Sequence, residues 1–432
     1  MVRSRALVNG ANPQSRPGAG ALLELIRHRA GLTRADLGAL TGLGRAAISQ
    51  RIETLMERGL VHESDDLPST GGRPPAGLVF NGRSGVVLAA DLGATHARLA
   101  VIDLAGEVLA ELAEDLDIAR GPHAVLDVVA AQFAALLRQA GRDPGDVRAI
   151  GLGVPGPVEF ATGTPANPPI MPGWDGFSIP EHLAGHFDVP VLVDNDVNIM
   201  AIGEHRANWR SEKHLLFVKV GTGIGCGIVA EGKIYRGAQG AAGDIGHIAV
   251  AGHDHVVCEC GNVGCLEAVA GGRALARSAR ELGFDARDSR DVVALARAQH
   301  VEIVQLVRQS GRLLGEALSG LVNALNPSVI VIGGDVADVH QQLFAGVREV
   351  VYQRATPLAT RHLEIARSTL GDRDGAMGAA VLATEHVLSP SFIDATGSRR
   401  PAREAVGIER REVERAKRAA VRQPERSPAD SN

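Results

Sequence analysis

A chain of 432 residues has room for two to three domains. Its 45% hydrophobic content supports a sizeable core, and 3% aromatic content leaves that core to Val, Leu, Ile and Ala. A net charge of −5 excludes an overall basic coat for nucleic acid, though not a local patch, and four cysteines do not suit a secreted disulfide scaffold. No apolar run stands ahead of a small-residue cleavage site near the N-terminus, and no stretch reaches membrane-spanning length. A cytoplasmic protein with reduced thiols and no membrane partner is expected.

Residues 1–18 are rich in Gly, Pro, Asn and Arg without periodicity and are expected to be disordered. Residues 19–82 read as a winged helix-turn-helix. Leu22, Leu23, Leu25 and Ile26 form the stripe of a first helix, Ala21 to Arg29. Thr33, three residues before Asp36, makes a capping-box-like start for a second helix, with Asp in place of the preferred Glu. The turn Thr41–Gly44 precedes a third helix, about Arg45 to Arg58, whose Ile48, Ile52 and Leu55 share one face. Arg45, Ser49, Gln50 and Arg51 fall off that face and are free for phosphates or base edges of a DNA major groove. Ser69–Pro74 reads as a wing tip that places Arg73 toward the minor groove, with Leu78–Phe80 returning as a strand. A small protein-binding appendage is the rival reading.

Residues 83–200 and 201–388 read as two α/β halves. The strand Val86–Ala90 delivers Asp91-Leu92-Gly93-Ala94-Thr95. Gly93 lets a backbone approach phosphate oxygens, Thr95 can donate to one, and Asp91 could hold Mg2+ through water; a plain hairpin turn fits equally well. Pro122 to Gln139 reads as a helix. The strand Val191–Val193 delivers Asp194 to Asn198 at its carboxyl end, where ligands of open α/β sheets bind. Asp196, at a helix start, suits either a general base or a cap. Leu216 to Val220 is followed by a second glycine-rich loop, Gly221 to Gly227, in which Gly221, Thr222 and Gly223 could pair with the first loop around phosphates. Cys226 reads as a packed small apolar residue.

His247 precedes Cys258, Cys260 and Cys265 in one short stretch that ends at Glu267. One imidazole and three thiols suit a tetrahedral structural Zn2+, with Gly261 and Gly264 allowing the turns that converge them; chance clustering of small cysteines is the rival reading. If one ring nitrogen of His247 ligates zinc, the other faces a ligand with its tautomer fixed. Glu267 would then stand beside it, unless it is a solvated carboxylate. His300 to Asn326 reads as a long helix, Ser328 to Ile332 as a buried strand, and Gly375 to His386 as a helix. Residues 389–432 are expected to be a largely disordered tail.

In these features the chain resembles the ROK proteins (repressors, open reading frames and kinases) of the actin-like sugar kinase superfamily, over about residues 20–388. The resemblance rests on the run Cys258–Glu267 with His247 upstream, the two glycine motifs, the segments Gly153–Val158 and Asp194–Asn198, and the N-terminal domain with Gly72-Arg73-Pro74. It implies a two-lobed actin-like fold preceded by a winged helix-turn-helix, assembled as a homodimer or homotetramer. It implies sugar contacts at Asn167, Asn195, Asp196, Asp244, His247 and Glu267, with Asp244 standing where the kinases have a glutamate. Asp196 takes the place of a catalytic base, which kinase members use with Mg-ATP. The reading that follows is a regulator, a repressor of carbohydrate genes, whose partners are operator DNA and a sugar or sugar phosphate. The alternative is an ATP-dependent sugar kinase with an accessory DNA-binding domain.

Overall fold

The computed structural model describes residues 17–29, 31–64 and 77–396. Helix α1 (Ala19–His28) buries Leu22, Leu23 and Ile26. Helix α2 (Arg34–Thr41) starts at Thr33, whose hydroxyl accepts from the Asp36 N–H while the Asp36 carboxylate accepts from the Thr33 N–H. Aspartate thus completes the box as glutamate would. Gly42, at φ 72°, ends α2 in the left-handed conformation that glycine adopts without a Cβ penalty. Helix α3 (Arg45–Glu57) buries Ile48, Ile52 and Leu55. Strands β1 (Val61–Ser64) and β2 (Gly77–Phe80) pair antiparallel, Val61 opposite Phe80, as the stem of a wing. The expected tip, including Arg73, lies outside the described residues.

The core begins with β3 (Val86–Leu92), β4 (His96–Asp103) and β5 (Val108–Asp115), followed by α4 (Pro122–Gln139) and β6 (Val147–Val154). A small hairpin, β7 (Val158–Glu159) and β8 (Thr164–Pro165), precedes α5 (Ile179–Ala184) and β9 (Val191–Asn195). These build a sheet of order β5-β4-β3-β6-β9. Helix α6 (Asp196–Asn208) leads out of it. Next come β10 (Leu215–Val220), β11 (Ile224–Ala230), β12 (Lys233–Ile234), α7 (Leu266–Ala270), α8 (Gly272–Glu281), α9 (Ser289–Arg297) and α10 (Val301–Leu325). The chain continues through β13 (Val329–Gly333), α11 (His340–Arg354), α12 (Pro357–Thr360), β14 (Glu364–Arg367), α13 (Asp374–Val387) and α14 (Pro390–Thr396). The second sheet has order β12-β11-β10-β13-β14 and repeats the plan of the first: two antiparallel pairings on one side, two parallel on the other.

Three expectations need correction. The second glycine loop is shorter than read: only Gly221–Gly223 turns, and Ile224–Ala230 is a strand antiparallel to β10. Its glycines are there for close approach, since a Cβ on Gly225 or Gly227 would lie 2.8 Å from Val197 or 2.5 Å from Ala201 of α6. The second half does not extend to residue 388, because α13 returns to pack on β3 and β6 of the first sheet. The tail does not start at 389: α14 is ordered, Ile393 is buried, and Arg58 donates to the Ile393 carbonyl.

Helix α14 and Ile393 belong to a larger core. Leu22, Leu23 and Ile26 of α1 share one apolar core with Val87, Ile102, Ala379, Ala383 and Ile393. Each of the leucine, isoleucine and valine side chains contributes about 1.5–3 kcal/mol when removed from water. The winged helix is therefore seated on the first lobe and not tethered beside it. Helices α6 and α13 cross beneath it backbone to backbone: a Cβ on Gly203 would lie 2.3 Å from the Asp374 carbonyl, and one on Gly378 1.6 Å from that of Ile199.

Candidate functional site

Strand β9 ends in Asp194 and Asn195, and α6 starts at once. Asn195, not Asp196, is the cap: its side-chain oxygen accepts from the N–H groups of Val197 and Asn198, and its amide donates to the Gly156 carbonyl. Asp196 is thereby released from capping and is 5% exposed. Its Oδ1 accepts from the Val197 N–H at 2.9 Å and its Oδ2 from Lys219 Nζ at 2.6 Å. Burial works against charge on Lys219, but Asp196, Asp91 and Asp374 outweigh it and hold the ammonium's pKa above its ordinary value.

Asp91 lies beside this pair at the end of β3. Its Oδ1 has no hydrogen-bond partner, and burial pushes the carboxyl up to about 6 while Lys219 pulls the other way. Asp374, at the start of α13, is pushed well up by burial and by Asp91. The first glycine turn folds tightly, with the Gly93 N–H donating to the His96 carbonyl. The His96 ring covers Gly93, so that a Cβ there would lie 2.2 Å from the imidazole. Burial lowers the His96 pKa and Lys219 lowers it further. Thr95 and Thr222 are both exposed at their turns. The second turn is held by the Gly221 carbonyl accepting from Gly272 and that of Thr222 accepting from Arg273.

The cysteine stretch forms the other half of the site. Ligand atoms of His247, Cys258, Cys260 and Cys265 all lie within 4.8 Å of one another, and the cysteines are free thiols. His247 Nδ1 is 3.6 Å from Cys258 Sγ, and Cys260 Sγ is 3.7 Å from Cys265 Sγ. A tetrahedron with zinc–sulfur bonds of about 2.3 Å has edges of about 3.8 Å, so the donor set fits one metal ion. The far nitrogen of His247, Nε2, is 3.8 Å from Asp244 Oδ1. Glu267 Oε1 is 3.7 Å from His247 Nδ1 and 3.4 Å from Cys258 Sγ. Its other oxygen presses on the second glycine turn, 2.6 Å from where a Cβ on Gly223 would stand. Glu267 is thus no surface carboxylate: it ties the cysteine stretch to the glycine turn.

The structure brings Asp91, Asp196 and Lys219 together in one group, and Asp244, His247 and Glu267 together in another, which touches the second glycine turn through Glu267. Asn167 stands on the loop after β8, at φ 46°, with its N–H donating to the Asp175 carboxylate. On α3, Arg45 and Gln50 are exposed. Ser49 and Arg51 are half-buried, and the Arg51 guanidinium donates to the Ala47 carbonyl of its own helix. Cys226 is buried, its thiol pushed up to about 12 by desolvation, as a packed apolar residue should be.

Two groups went unread in the sequence. Lys219 is the only charge in Leu215–Val220, and a lone lysine in an apolar strand is a signal that was available. Arg236, after β12, forms an ion pair with buried Asp194 at 2.7 Å and lies 3.7 Å over the Phe160 ring, which joins the second sheet's side of the cleft to the first's. Nothing local marks that contact.

The model for the ROK family matches residues 87–386. A xylose repressor from Caldicellulosiruptor bescii is 29% identical, over 83% of this chain and 93% of its own. The crystal structure of a ROK family transcriptional regulator, described as a homologue of the Escherichia coli MLC protein, superposes with a TM-score of 0.75 at 24% identity, covering 87% of this chain and 96% of its own. A ROK family glucokinase from Streptomyces griseus, solved with glucose and AMPPNP, gives a TM-score of 0.61 at 27% identity, covering 70% of this chain and all of its own. The first two likenesses cover more of the chain than the family match does.

Proposed function

The chain belongs to the ROK family, and on that premise we propose that it is a sugar-responsive DNA-binding transcriptional regulator, a repressor of carbohydrate genes. The observation that carries this reading is the seating of the winged helix on the element that leaves the cleft. Helix α6 begins at Asn195 and Asp196 and ends beneath α1. There Arg206 of α6 and Arg27 of α1 both pair with Glu385 of α13, at 3.8 and 2.9 Å, and Arg210 meets His28 at 3.1 Å. A sugar that repositions the start of α6 would shift the platform that carries α3. The sugar must favour one of the two arrangements for any response to follow.

In this reading Asn167, Asn195, Asp196, Asp244, His247 and Glu267 line the sugar site. His247, Cys258, Cys260 and Cys265 hold a structural zinc, which supplies rigidity and no chemistry. The three thiols and Nδ1 face the metal, and Nε2 of His247 is left for a sugar hydroxyl. Arg45 and Gln50 meet DNA first, with Ser49, Arg51 and Arg73 as further contacts. A homodimer or homotetramer would set two α3 helices on a palindromic operator. The test is fluorescence anisotropy with DNA from the gene's own upstream region, over a salt series and a panel of sugars. Salt-sensitive binding that one sugar changes several-fold supports the reading; no salt-sensitive binding to that DNA ends it.

A sugar kinase is the second reading, favoured by the contact of Asp196 with Lys219, two residues before the turn bearing Gly221, Thr222 and Gly223, and by the first turn bearing Gly93 and Thr95. Sugar-dependent ADP release from Mg-ATP, lost in Asp196→Asn, would establish it. The turns suit phosphate, but the surroundings of Asp196 do not suit the metal ion.

A further inference from the structure

Lys219 has glycine on both sides in its sheet. It stands opposite Gly225 on β11 and opposite Gly333 on β13, so both neighbouring strands present glycine beside it. Side chains of paired residues in a sheet point to the same face. Val197 packs over Gly225 and the Phe217 ring over Gly333, so the lysine must extend along its strand toward the Gly221 turn. It does so: a Cβ on Gly221 would lie 3.5 Å from Lys219 Cε, and Nζ reaches Asp196.

The cleft gathers three carboxylates that are each at most 7% exposed: Asp91, Asp196 and Asp374. Buried carboxylates require a counter-charge or a proton. In phosphoryl transfer the counter-charge is a divalent metal ion, which also neutralises the phosphates. The sugar hydroxyl's proton must then pass to a free carboxylate oxygen as its oxygen attacks the terminal phosphorus and ADP leaves. Here neither condition holds. The Lys219 ammonium stands 2.6 Å from Asp196 Oδ2 as a counter-charge of the chain's own, and Asp196 Oδ1 accepts from the Val197 N–H, so neither oxygen is without a donor.

We propose that Lys219 is the resident counter-ion of this cleft. Its ammonium takes the place a divalent cation would need and holds Asp196 as an ion-pair partner, so that the cleft binds sugar without transferring phosphate. The inference rests on the sugar-binding reading above, and it turns the choice between regulator and kinase onto one residue.

The experiment is Mn2+ titration of the full-length, zinc-replete protein, followed by electron paramagnetic resonance of the free ion. It compares wild type, Lys219→Met and Lys219→Met/Asp91→Asn, with sugar-dependent ADP release and sugar-induced thermal shifts measured in parallel. Wild type should leave the Mn2+ signal undiminished. Lys219→Met should bind one ion at least about tenfold more tightly, because a like charge within a few ångströms has been removed, and the double variant should lose that gain. Where Lys219→Met fails to fold, Lys219→Gln takes its place. Mn2+ binding by wild type that equals the variant's and depends on Asp91 overturns the proposal. So does ADP release by wild type that Asp196→Asn abolishes, and so does a folded variant that gains no Mn2+ site. A thermal shift with no sugar at all counts against the sugar-binding reading, and leaves the metal comparison to be read separately.

Discussion

Among the described residues, the cysteine stretch and the buried carboxylates Asp91, Asp196 and Asp374 both call for a cation, and they meet the requirement in opposite ways. At His247, Cys258, Cys260 and Cys265 the chain supplies four ligand atoms within 4.8 Å and no positive charge of its own. At Asp91, Asp196 and Asp374 it supplies the carboxylates and also the ammonium of Lys219. The first is an open valence that a metal ion completes. The second is closed by a covalent part of the chain. A cation that must be taken up can be lost, and one built into a strand cannot; the difference separates a site for structure from one that has been shut to metal chemistry.

Depriving the first site of metal should have the largest effect. If the proposed zinc is held there, Cys260→Ser, or prolonged chelation, should release it, lower stability by at least about 4 kcal/mol and the melting temperature by roughly 10 °C, and abolish any sugar-induced thermal shift. Metal content by mass spectrometry beside the melting curves checks this. A Cys260→Ser protein with full sugar response would mean that the cysteine stretch does not brace Glu267 and His247.

The second site should answer to protons instead. Asp91 is held at about 6 against an ordinary carboxyl value of 3.8. The folded state therefore keeps this proton where the unfolded chain has lost it, and stability falls as pH rises from about 4 to about 6, then levels off. The difference of roughly two pKa units corresponds to about 3 kcal/mol. Asp91→Asn removes the charge. It should raise the melting temperature at pH 8 relative to wild type, with the gain shrinking to nothing near pH 4. An equal shift at both pH values would show that Asp91 carries no such burden.

The contrast also explains what could be read in advance. The cluster of His247, Cys258, Cys260 and Cys265 is specified by residue type and spacing within one stretch, and the amphipathic helices α3 and α4 by period, so the convergence of those four side chains and the two helices were legible. The ion pair Lys219–Asp196 joins β10 of the second sheet to the start of α6, and only the fold makes it. Its one local trace is a lysine in the run Leu215–Val220. The glycines of β11 were misread because their role is to let α6 approach, which no neighbour in sequence reveals. The return of α13 to the first sheet, and the burial of Ile393 against α1, are likewise products of long-range packing. A segment with polar neighbours reads as tail until its partner is seen.

On the DNA side the expected effects are smaller and of two kinds. Gln50→Ala should cost about 1–3 kcal/mol on the operator and little on unrelated DNA, as a base contact would. Arg45→Ala should weaken binding to all sequences and reduce the salt slope by about one. Anisotropy on operator and scrambled duplexes at several salt concentrations distinguishes these. Gln50→Ala with an unchanged operator-to-scrambled ratio would remove it from base recognition.

The smallest effect tests the link between the cleft and the winged helix. Burial favours the neutral form of Glu385, yet Arg27 and Arg206 hold its carboxyl below the ordinary range, so it is charged at neutral pH and bound to both elements. A cavity of about 220 Å3, lined among others by Arg27, Gly203, Arg206, Met377 and Glu385, adjoins the pair and leaves space for α1 to move against α6. Partly exposed ion pairs contribute about 0.2–1 kcal/mol, so Glu385→Gln should leave the fold and the sugar-free affinity for operator close to wild type. What it should change is the coupling: the factor by which sugar alters operator affinity should fall about two- to fivefold, with sugar affinity in the absence of DNA unaltered. The reciprocal measurement, sugar affinity with and without operator, must fall by the same factor. If the coupling survives Glu385→Gln intact in both directions, the signal passes through the glycine crossing of α6 and α13 without this ion pair, and Gly203 and Gly378 become the positions to probe.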